Sequence, residues 1–491
     1  MKRTTTQSYV LTLKLNTSRH DEVVLEKRFL YGQRIYNTIV RHCIRQIRKL
    51  QNDKQYKELL SVYLKDRKHN VKDTHLTKAL KDTVSSYGLT EYSLHAFVKE
   101  QQHRYAKDID SLTAQKIATA VWKAAEKNLY GNGKYIHFKK QDDMLSLEGK
   151  NNNTGIRYKD GRFLWNGLSI SVQHDKRDTY AQESLQNRIK YCRIKRIPLG
   201  TRYHYYLELI LEGLPPTMHT VGTGRTGIDI GTSTVAVVSD DGYCRLDELA
   251  KEAGSIERKK RVMLRKLDRS RRAMNPNNYN PDGTVKKGRL KWEQSHTYRK
   301  LYMKYKSLCR KRAAIVKQSH ETLANEILQH GATVRVERMS FTGLAKRTKE
   351  AKRKPDGKYG SRKRFGTSIQ TRAPAMFLGI MERKLGYAGT NLIYIDTVTF
   401  RASQYNHAED IYKKKNLSER YHFIDGYKIQ RDLYSAFLIM NSNDANDSTD
   451  RPRCLETFDS FRMTHDACIR ELINSNHKYP SSMGLKYFVT C

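Results

Sequence analysis

Apolar side chains hold every second position of "SYVLTLKLNT" (8–17). Tyr9, Leu11, Leu13 and Leu15 alternate with Thr12, Lys14 and Asn16, which is the period of a half-buried strand. The period then changes. Tyr36, Ile39, Val40, Cys43, Ile44, Ile47 and Leu50 recur at three- and four-residue steps, and these steps predict an amphipathic helix. Residues 51–110 are polar and charged and predict shorter helices. "TAQKIATAVWKAAEKNLYGNGK" (113–134) is helical again, with Ile117, Val121, Trp122, Ala125 and Leu129 on one face and Gly131 and Gly133 ending it. From 134 to 215 the pattern is one of short strands, "KYIHFKK", "GIRYKDGRFLWNG", "LSISVQH", "IKYCRIKRIPL" and "RYHYYLELILEG", broken by Gly, Asn and Asp. The "KDG" between "GIRY" and "RFLW" signals a hairpin. Such strands predict a small barrel. The N-terminal strand joins it, and residues 18–130 are a helical insertion.

Beyond 223, "GIDIGTSTVAVVSDDG" (227–242) predicts two core strands through Ile228, Ile230, Val235, Val237 and Val238. Two long helices follow, 255–274 and 295–331, joined by a Pro/Asn/Gly-rich turn. "ATVRVERMS" (332–340) is a strand with Glu337 at the end of its apolar part. A basic loop at 346–366, a helix near 373–387 and the strand "NLIYIDTVTF" come next. "RDLYSAFLIMN" (431–441) is helical, with Leu433, Ala436, Phe437 and Met440 on one face and Asp432 in its first turn.

Charge narrows the class of protein. The chain has 491 residues, and 92 Lys and Arg stand against 51 acids, a formal net charge of +41. Length allows roughly two to four domains. So large an excess of positive charge calls for a polyanionic partner, and nucleic acid leads. No long apolar span or basic amphipathic anchor points to a membrane, and the apolar stretch of "MKRTTTQSYVLTLKL" is too interrupted for a signal peptide. Residues 258–272 carry nine Lys or Arg and one Asp. A solvated helix normally mixes signs, so this run fits a phosphate track better. The seven cysteines are odd in number, scattered and without a CxxC pair, which suits free thiols in a reducing cytoplasm. Cys454, His465, Cys468 and His477 could be drawn into a zinc site, but their spacing fits no strong pattern.

Three acids stand out. Asp229 interrupts an apolar strand, where an unpartnered carboxylate costs several kcal/mol or shifts its pKa. A positive partner is therefore expected. Glu337 ends a strand. Asp432 opens a helix, where capping and the helix dipole would account for it equally well. Phosphodiester hydrolysis suits clustered carboxylates holding two Mg²⁺ ions, which would be that positive partner.

These three segments, in this order, resemble the split RuvC motifs of transposon-encoded TnpB nucleases and the compact type V CRISPR effectors derived from them. The resemblance covers most of the chain. It implies an α+β multidomain protein with an RNase H-like (RuvC) α/β nuclease domain, an oligonucleotide-binding-like β-barrel wedge and a helical recognition domain. Residues 1–17 would be the first wedge strand, 18–130 the recognition domain and 131–222 the wedge. Residues 223–396 would hold the first two nuclease motifs with the basic helix pair, 397–430 a target-nucleic-acid-binding insertion, and 431–443 the third motif. Residues 444–491 are a tail without a counterpart. The implied function is RNA-guided DNA endonuclease, prokaryotic, cytoplasmic and nucleoid-associated, with a monomer favoured. Guide RNA and double-stranded target DNA are the implied partners, and there is no membrane. Asp229, Glu337 and Asp432 would hold Mg²⁺, or Mn²⁺ in its place. Arg258, Lys259, Lys260, Arg265, Arg269, Arg271, Arg272, Lys139, Lys140 and Arg431 are the candidate nucleic-acid contacts.

The chain departs from that family in places. The zinc-ribbon cysteines that often precede the third motif are missing. Asn406, Glu409, His422 and Asp425 stand near their places, a mixture without thiolates, so zinc is not expected. The usual Asp-Arg-Asp-x-Asn reads Gln430-Arg431-Asp432-Leu433-Tyr434. Two other readings remain. In one, the protein is an RNA-guided DNA binder without cleavage, although all three acids are present. In the other it is an actin-like-fold sugar kinase, because "GIDIGTSTVAVV" also resembles the first phosphate motif of that class. No second phosphate segment or adenosine motif accompanies it, and a sugar has no use for +41.

Overall fold

The computed structural model describes residues 6–140, 142–175, 177–200, 202–217, 219–351, 353, 357, 362, 365–414, 416, 418–475 and 479–488. The chain divides into two compact units, Met1–Pro216 and Thr217–Cys491.

The first unit opens with β1 (Ser8–Leu15), whose odd-numbered residues are buried and even-numbered ones exposed, as its period predicts. The helices α1 (Arg19–Leu50), α2 (Lys54–Lys68), α3 (Thr74–Ser86), α4 (Glu91–His103) and α5 (Ser111–Leu129) follow. Each begins at a side-chain cap, Ser18, Asp53, Asp73, Thr90 or Asp110. Then come β2 (Ser146–Glu148), β3 (Arg157–Lys159), β4 (Arg162–Trp165), β5 (Leu168–Gln173), α6 (Thr179–Leu185), β6 (Ile189–Leu199) and β7 (Arg202–Glu212). One seven-stranded sheet takes them in the order β2-β6-β7-β1-β5-β4-β3. β1 therefore lies mid-sheet, and the helices between β1 and β2 are inserted. The predicted "KDG" hairpin is present. Asp160 and Gly161, and again Asn166 and Gly167, hold positive φ at two-residue turns, as type I′ hairpins require.

Two expectations need correction here. "KYIHFKK" is not a strand. The Lys139 carbonyl accepts hydrogen bonds from Gln33 (2.7 Å) and Asn37 (2.9 Å) of α1, and its N–H donates to Asn37 Oδ1 (2.8 Å), so helix side chains satisfy the backbone instead of a neighbouring strand. The barrel is also not closed by strand pairing between β2 and β3. The sheet is nevertheless strongly curled. Asn152 bonds both the Cys192 thiol of β6 (3.1 Å) and the Tyr158 backbone of β3 (2.8 and 3.0 Å), although four strands separate β6 from β3 in the sheet. Laid flat, strands so placed would stand roughly 24 Å apart.

The second unit is built on β8 (Arg225–Ile230), β9 (Thr234–Ser239), β10 (Cys244–Glu248), β11 (Thr333–Glu337) and β12 (Ile393–Ile395), in the order β10-β9-β8-β11-β12. The first three strands form an antiparallel meander, and β11 runs parallel to β8 and β12. Between β10 and β11 lie the two long basic helices, α7 (Ala253–Met274) and α8 (His296–His330); α9 (Phe341–Ala345), α10 (Gly366–Arg372) and α11 (Pro374–Tyr387) lead on to β12. β12 is shorter than its sequence predicted, because Asp396 Oδ1 accepts the Val398 N–H (2.7 Å) and turns the chain. Two small hairpins follow, β13 (Tyr405–Asn406) with β14 (Ile411–Tyr412), and β15 (Tyr421–Ile424) with β16 (Tyr427–Gln430). They lead into α12 (Arg431–Met440) and α13 (Arg451–Asn474). α13 lies in the tail and was not foreseen.

This sheet has a core on each face. Ile228, Ile230, Val334 and Val336 pack with Leu323 and Ile327 of α8 and Phe377 and Met381 of α11. Ala236, Val238 and Leu246 pack with Leu433, Ala436 and Phe437 of α12 and Phe461 and Ile469 of α13. Burial from both sides explains why all six residues of β9 are buried. Among the described residues no helix is long and apolar enough to cross a membrane.

Candidate active site

Strand alternation answers the question posed by Asp229. Ile228 and Ile230 of β8 face α8 and α11, so Gly227 and Asp229 face α12. Val334 and Val336 do the same on β11, which turns Glu337 to the α12 side. Val336 pairs with Ile228 in the parallel ladder; continuing that register by one residue sets Glu337 beside Asp229, about one strand spacing (~4.8 Å) away. The helix is held against this face at Gly227. A Cβ there would meet the backbone of Ala436 and Met440, so only glycine lets α12 lie so close. Asp432 is one helical turn before Ala436, roughly 6 Å along the axis, and Asp229 is two residues beyond Gly227. The three acids thus come from three distant segments to one end of the sheet.

Their electrostatics agree. Burial raises the Asp229 carboxyl well above the usual carboxylate range, and the charges of Asp432 and Glu337 push it the same way. Burial pushes Glu337 up to about 7, against some relief from the Ala402 backbone. The expected positive partner is only partly supplied. Among the described residues Arg431 is the cation that opposes the rise at Asp229, and its guanidinium is bonded to Asp432 Oδ1 through Nε (3.2 Å) and Nη2 (3.1 Å) and to the Glu419 carbonyl (3.1 Å). Arg431, expected as a nucleic-acid contact, is paired here with Asp432. Asp432 is also not the helix cap. Gln430 caps α12, its Oε1 accepting the Leu433 N–H at 2.7 Å. Capping does not account for Asp432, whose charge is felt at Asp229.

Among the described residues no three His, Cys, Asp or Glu side chains converge tightly enough to form a ready-made metal cage. Three carboxylates still suit a hard, oxygen-seeking cation. Mg²⁺ in particular uses one or two carboxylates, waters and a substrate phosphate rather than an all-protein cage. The zinc candidates scatter. Cys454 is buried in the core behind α12, His465 Nε2 accepts the Gln430 N–H at 2.9 Å, Cys468 is hydrogen-bonded to Cys244, and His477 lies outside the described residues. Of the second set, His422 is buried beside the Tyr434 ring (5.2 Å) and Asp425 forms the β15–β16 turn with positive φ. Asn406 Oδ1 accepts the Ala408 N–H at 3.1 Å. The Tyr434 hydroxyl bonds His407 Nδ1 at 2.7 Å, so aromatic and histidine packing fills the subdomain.

The basic candidates fall into two groups. Arg258, Lys259, Arg265 and Arg269 are exposed on α7, and Arg258, Arg261, Arg265 and Arg269 form one stripe at helical spacing. Arg261 was not among the foreseen contacts. Lys260 is instead paired with Glu257 (2.7 Å), and Arg271 and Arg272 with Asp268 (both 2.7 Å). Arg271 and Arg272 also lie over Trp292 and Tyr279, pinning the turn after α7. In the first unit, Lys139 is half-buried with its ammonium 4.7 Å from the Tyr36 ring, while Lys140 is exposed. About half of the basic loop at 346–366 lies outside the described residues.

No family model matches the chain, and no curated protein matches it in sequence. Among solved structures it is similar to a Cas12f1–sgRNA–target DNA complex, with 12% identity over 90% of this chain and 99% of that one and a TM-score of 0.44. It is also similar to a CRISPR-Cas12f ternary complex, with 12% identity over 88% of this chain and 99% of the other and a TM-score of 0.26. A Cas12i(E894A)–crRNA–dsDNA complex matches at 10% identity, covering 91% of this chain and 64% of that one, with a TM-score of 0.23.

Proposed function

We propose that the protein is an RNA-guided DNA endonuclease with a single RuvC-type, RNase H-like site formed by Asp229, Glu337 and Asp432. The observation that carries this reading is the convergence of three acids, each from a different motif, on one end of a sheet ordered β10-β9-β8-β11-β12. Burying carboxylates together is unfavourable unless a cation or a reaction uses them. Bound Mg²⁺ would lower the pKa of an attacking water and stabilise the leaving oxygen. The chain's own residues would hold that ion and fix its ligands: Asp229 and Glu337 on rigid strands, Asp432 on α12 under the guanidinium of Arg431. Guide RNA and target DNA, the components of the Cas12f1 complex above, are proposed for this chain from its charge, its motifs and the exposed stripe on α7.

The test uses the full chain with its copurified RNA and matching duplex DNA. Cleavage should require Mg²⁺ or Mn²⁺ and persist under zinc-selective chelation. Asp229→Ala, Glu337→Ala and Asp432→Ala should each abolish cleavage with target binding retained. Normal cutting by any one of them removes that residue from the site. Guided binding without cutting by the wild-type chain would favour the binding-only reading.

A further inference from the structure

The tail beyond 443 corresponds to none of the motifs, yet it holds the residue that opens the third one. Gln430 is fully buried, and all of its polar groups but the carbonyl are accounted for. Its side-chain oxygen caps α12 at Leu433, and its Nε2 donates to the Met483 carbonyl at 3.1 Å. Its backbone N–H, on the outer side of β16, donates to His465 Nε2 of α13 at 2.9 Å. A backbone N–H can only donate, so Nε2 is the acceptor and the ring proton sits on Nδ1. Asp466 Oδ1 receives that proton at 2.8 Å, which fixes the tautomer. The His465 ring is fully buried, 5.9 Å from Phe461 and 6.0 Å from Phe488. Phe461 in turn stacks on Phe437 of α12 at 4.4 Å.

We propose that His465 is a positioning residue for Asp432: by accepting the Gln430 N–H it sets where α12 begins, and the tail is therefore an integral part of the active site. Without this acceptor a buried backbone donor is left unpaired, and the first turn of α12 must move to find water or another partner. The consequence for cleavage rests on the nuclease reading; the consequence for the helix start does not.

The experiment compares His465→Leu, which lacks an acceptor, with His465→Gln, whose amide oxygen can stand near Nε2. Three quantities are read on the full chain with its RNA: amide exchange at residues 430–433, single-turnover cleavage and target affinity. Exchange in His465→Leu should quicken at these amides. Cleavage should fall about tenfold or more, since a 1 Å misplacement can cost roughly 10²-fold, while target affinity stays within about twofold. His465→Gln should restore both. Wild-type exchange and cleavage in a folded His465→Leu overturns the proposal, and so does failure of His465→Gln to recover either. Should His465→Leu not fold, Asp466→Ala decides the matter, because its side chain is half exposed and its loss frees the tautomer. Faster exchange at 430–433 upholds the proposal and unchanged exchange overturns it. If the wild-type chain does not cleave, the nuclease reading fails and the exchange data alone decide the role of His465.

Discussion

Gly227→Ala is the smallest change that should separate the first acid from the third. The added Cβ would stand 2.9 Å from the Met440 Cα, and closer still to the Ala436 carbonyl oxygen and the Met440 nitrogen. All three are backbone atoms, so no side chain can turn aside. Ordinary contact requires α12 to retreat by roughly an ångström. It has little room to do so. Leu433, Tyr434, Ala436 and Phe437 are fully buried, and the Phe437–Phe461 stack closes the far side. Overpacking of a filled core costs about 1–3 kcal/mol, and a backbone clash belongs at the upper end of that range. Asp432 moves with the helix while Asp229 stays on its strand. A displacement of that size can lower turnover by about 10²-fold. Denaturant unfolding measures the first effect. Single-turnover cleavage at a temperature where the variant is folded measures the second, with target affinity as the control. A stable, fully active Gly227→Ala refutes the packing argument. A destabilised but fully active one refutes the coupling of α12 position to the site.

Two further predictions concern charge. Glu337 has a folded pKa of about 7 against an ordinary 4.5, so its contribution to metal-free stability is fully present below pH 4.5 and lost as pH rises through 7. Glu337→Gln should therefore stabilise the metal-free protein at pH 8, by at most about 3 kcal/mol, and change little at pH 4.5; equal effects at both pH values in thermal unfolding would contradict the shift. Changing Arg258, Lys259, Arg265 and Arg269 together to Gln should weaken RNA binding and flatten its log–log salt slope by about 0.7–0.9 per lost phosphate contact. Changing Arg271 and Arg272 should instead loosen the turn at 275–292, and an equal loss of slope from that pair would refute the division between them.

Much of this protein was legible in the sequence because it is written locally. The alternation at Tyr9, Leu11, Leu13 and Leu15 follows from the two-residue period of a strand, and the Asp160-Gly161 turn from the positive φ that a type I′ hairpin demands. Asp229 and Glu337 were visible because a carboxylate in an apolar strand or at a strand end is costly wherever it lies, whereas Asp432, at a helix start, joined them through the motif resemblance. Contacts distant along the chain leave no such local mark. "KYIHFKK" has the composition of a strand, but Gln33 and Asn37, about a hundred residues earlier, take its backbone bonds. The pairings of Arg431 with Asp432 and of Arg271 with Asp268 are, by contrast, local, one and three residues apart, and were within reach of the sequence. α13 did carry a periodic signal at Phe458, Phe461, His465 and Ile469, but not its destination. That Gly227 admits α12, and that His465 holds its first turn, was decided only in the tertiary structure: packing distance and hydrogen-bond geometry depend on where separate segments meet, and neither period nor composition encodes that meeting.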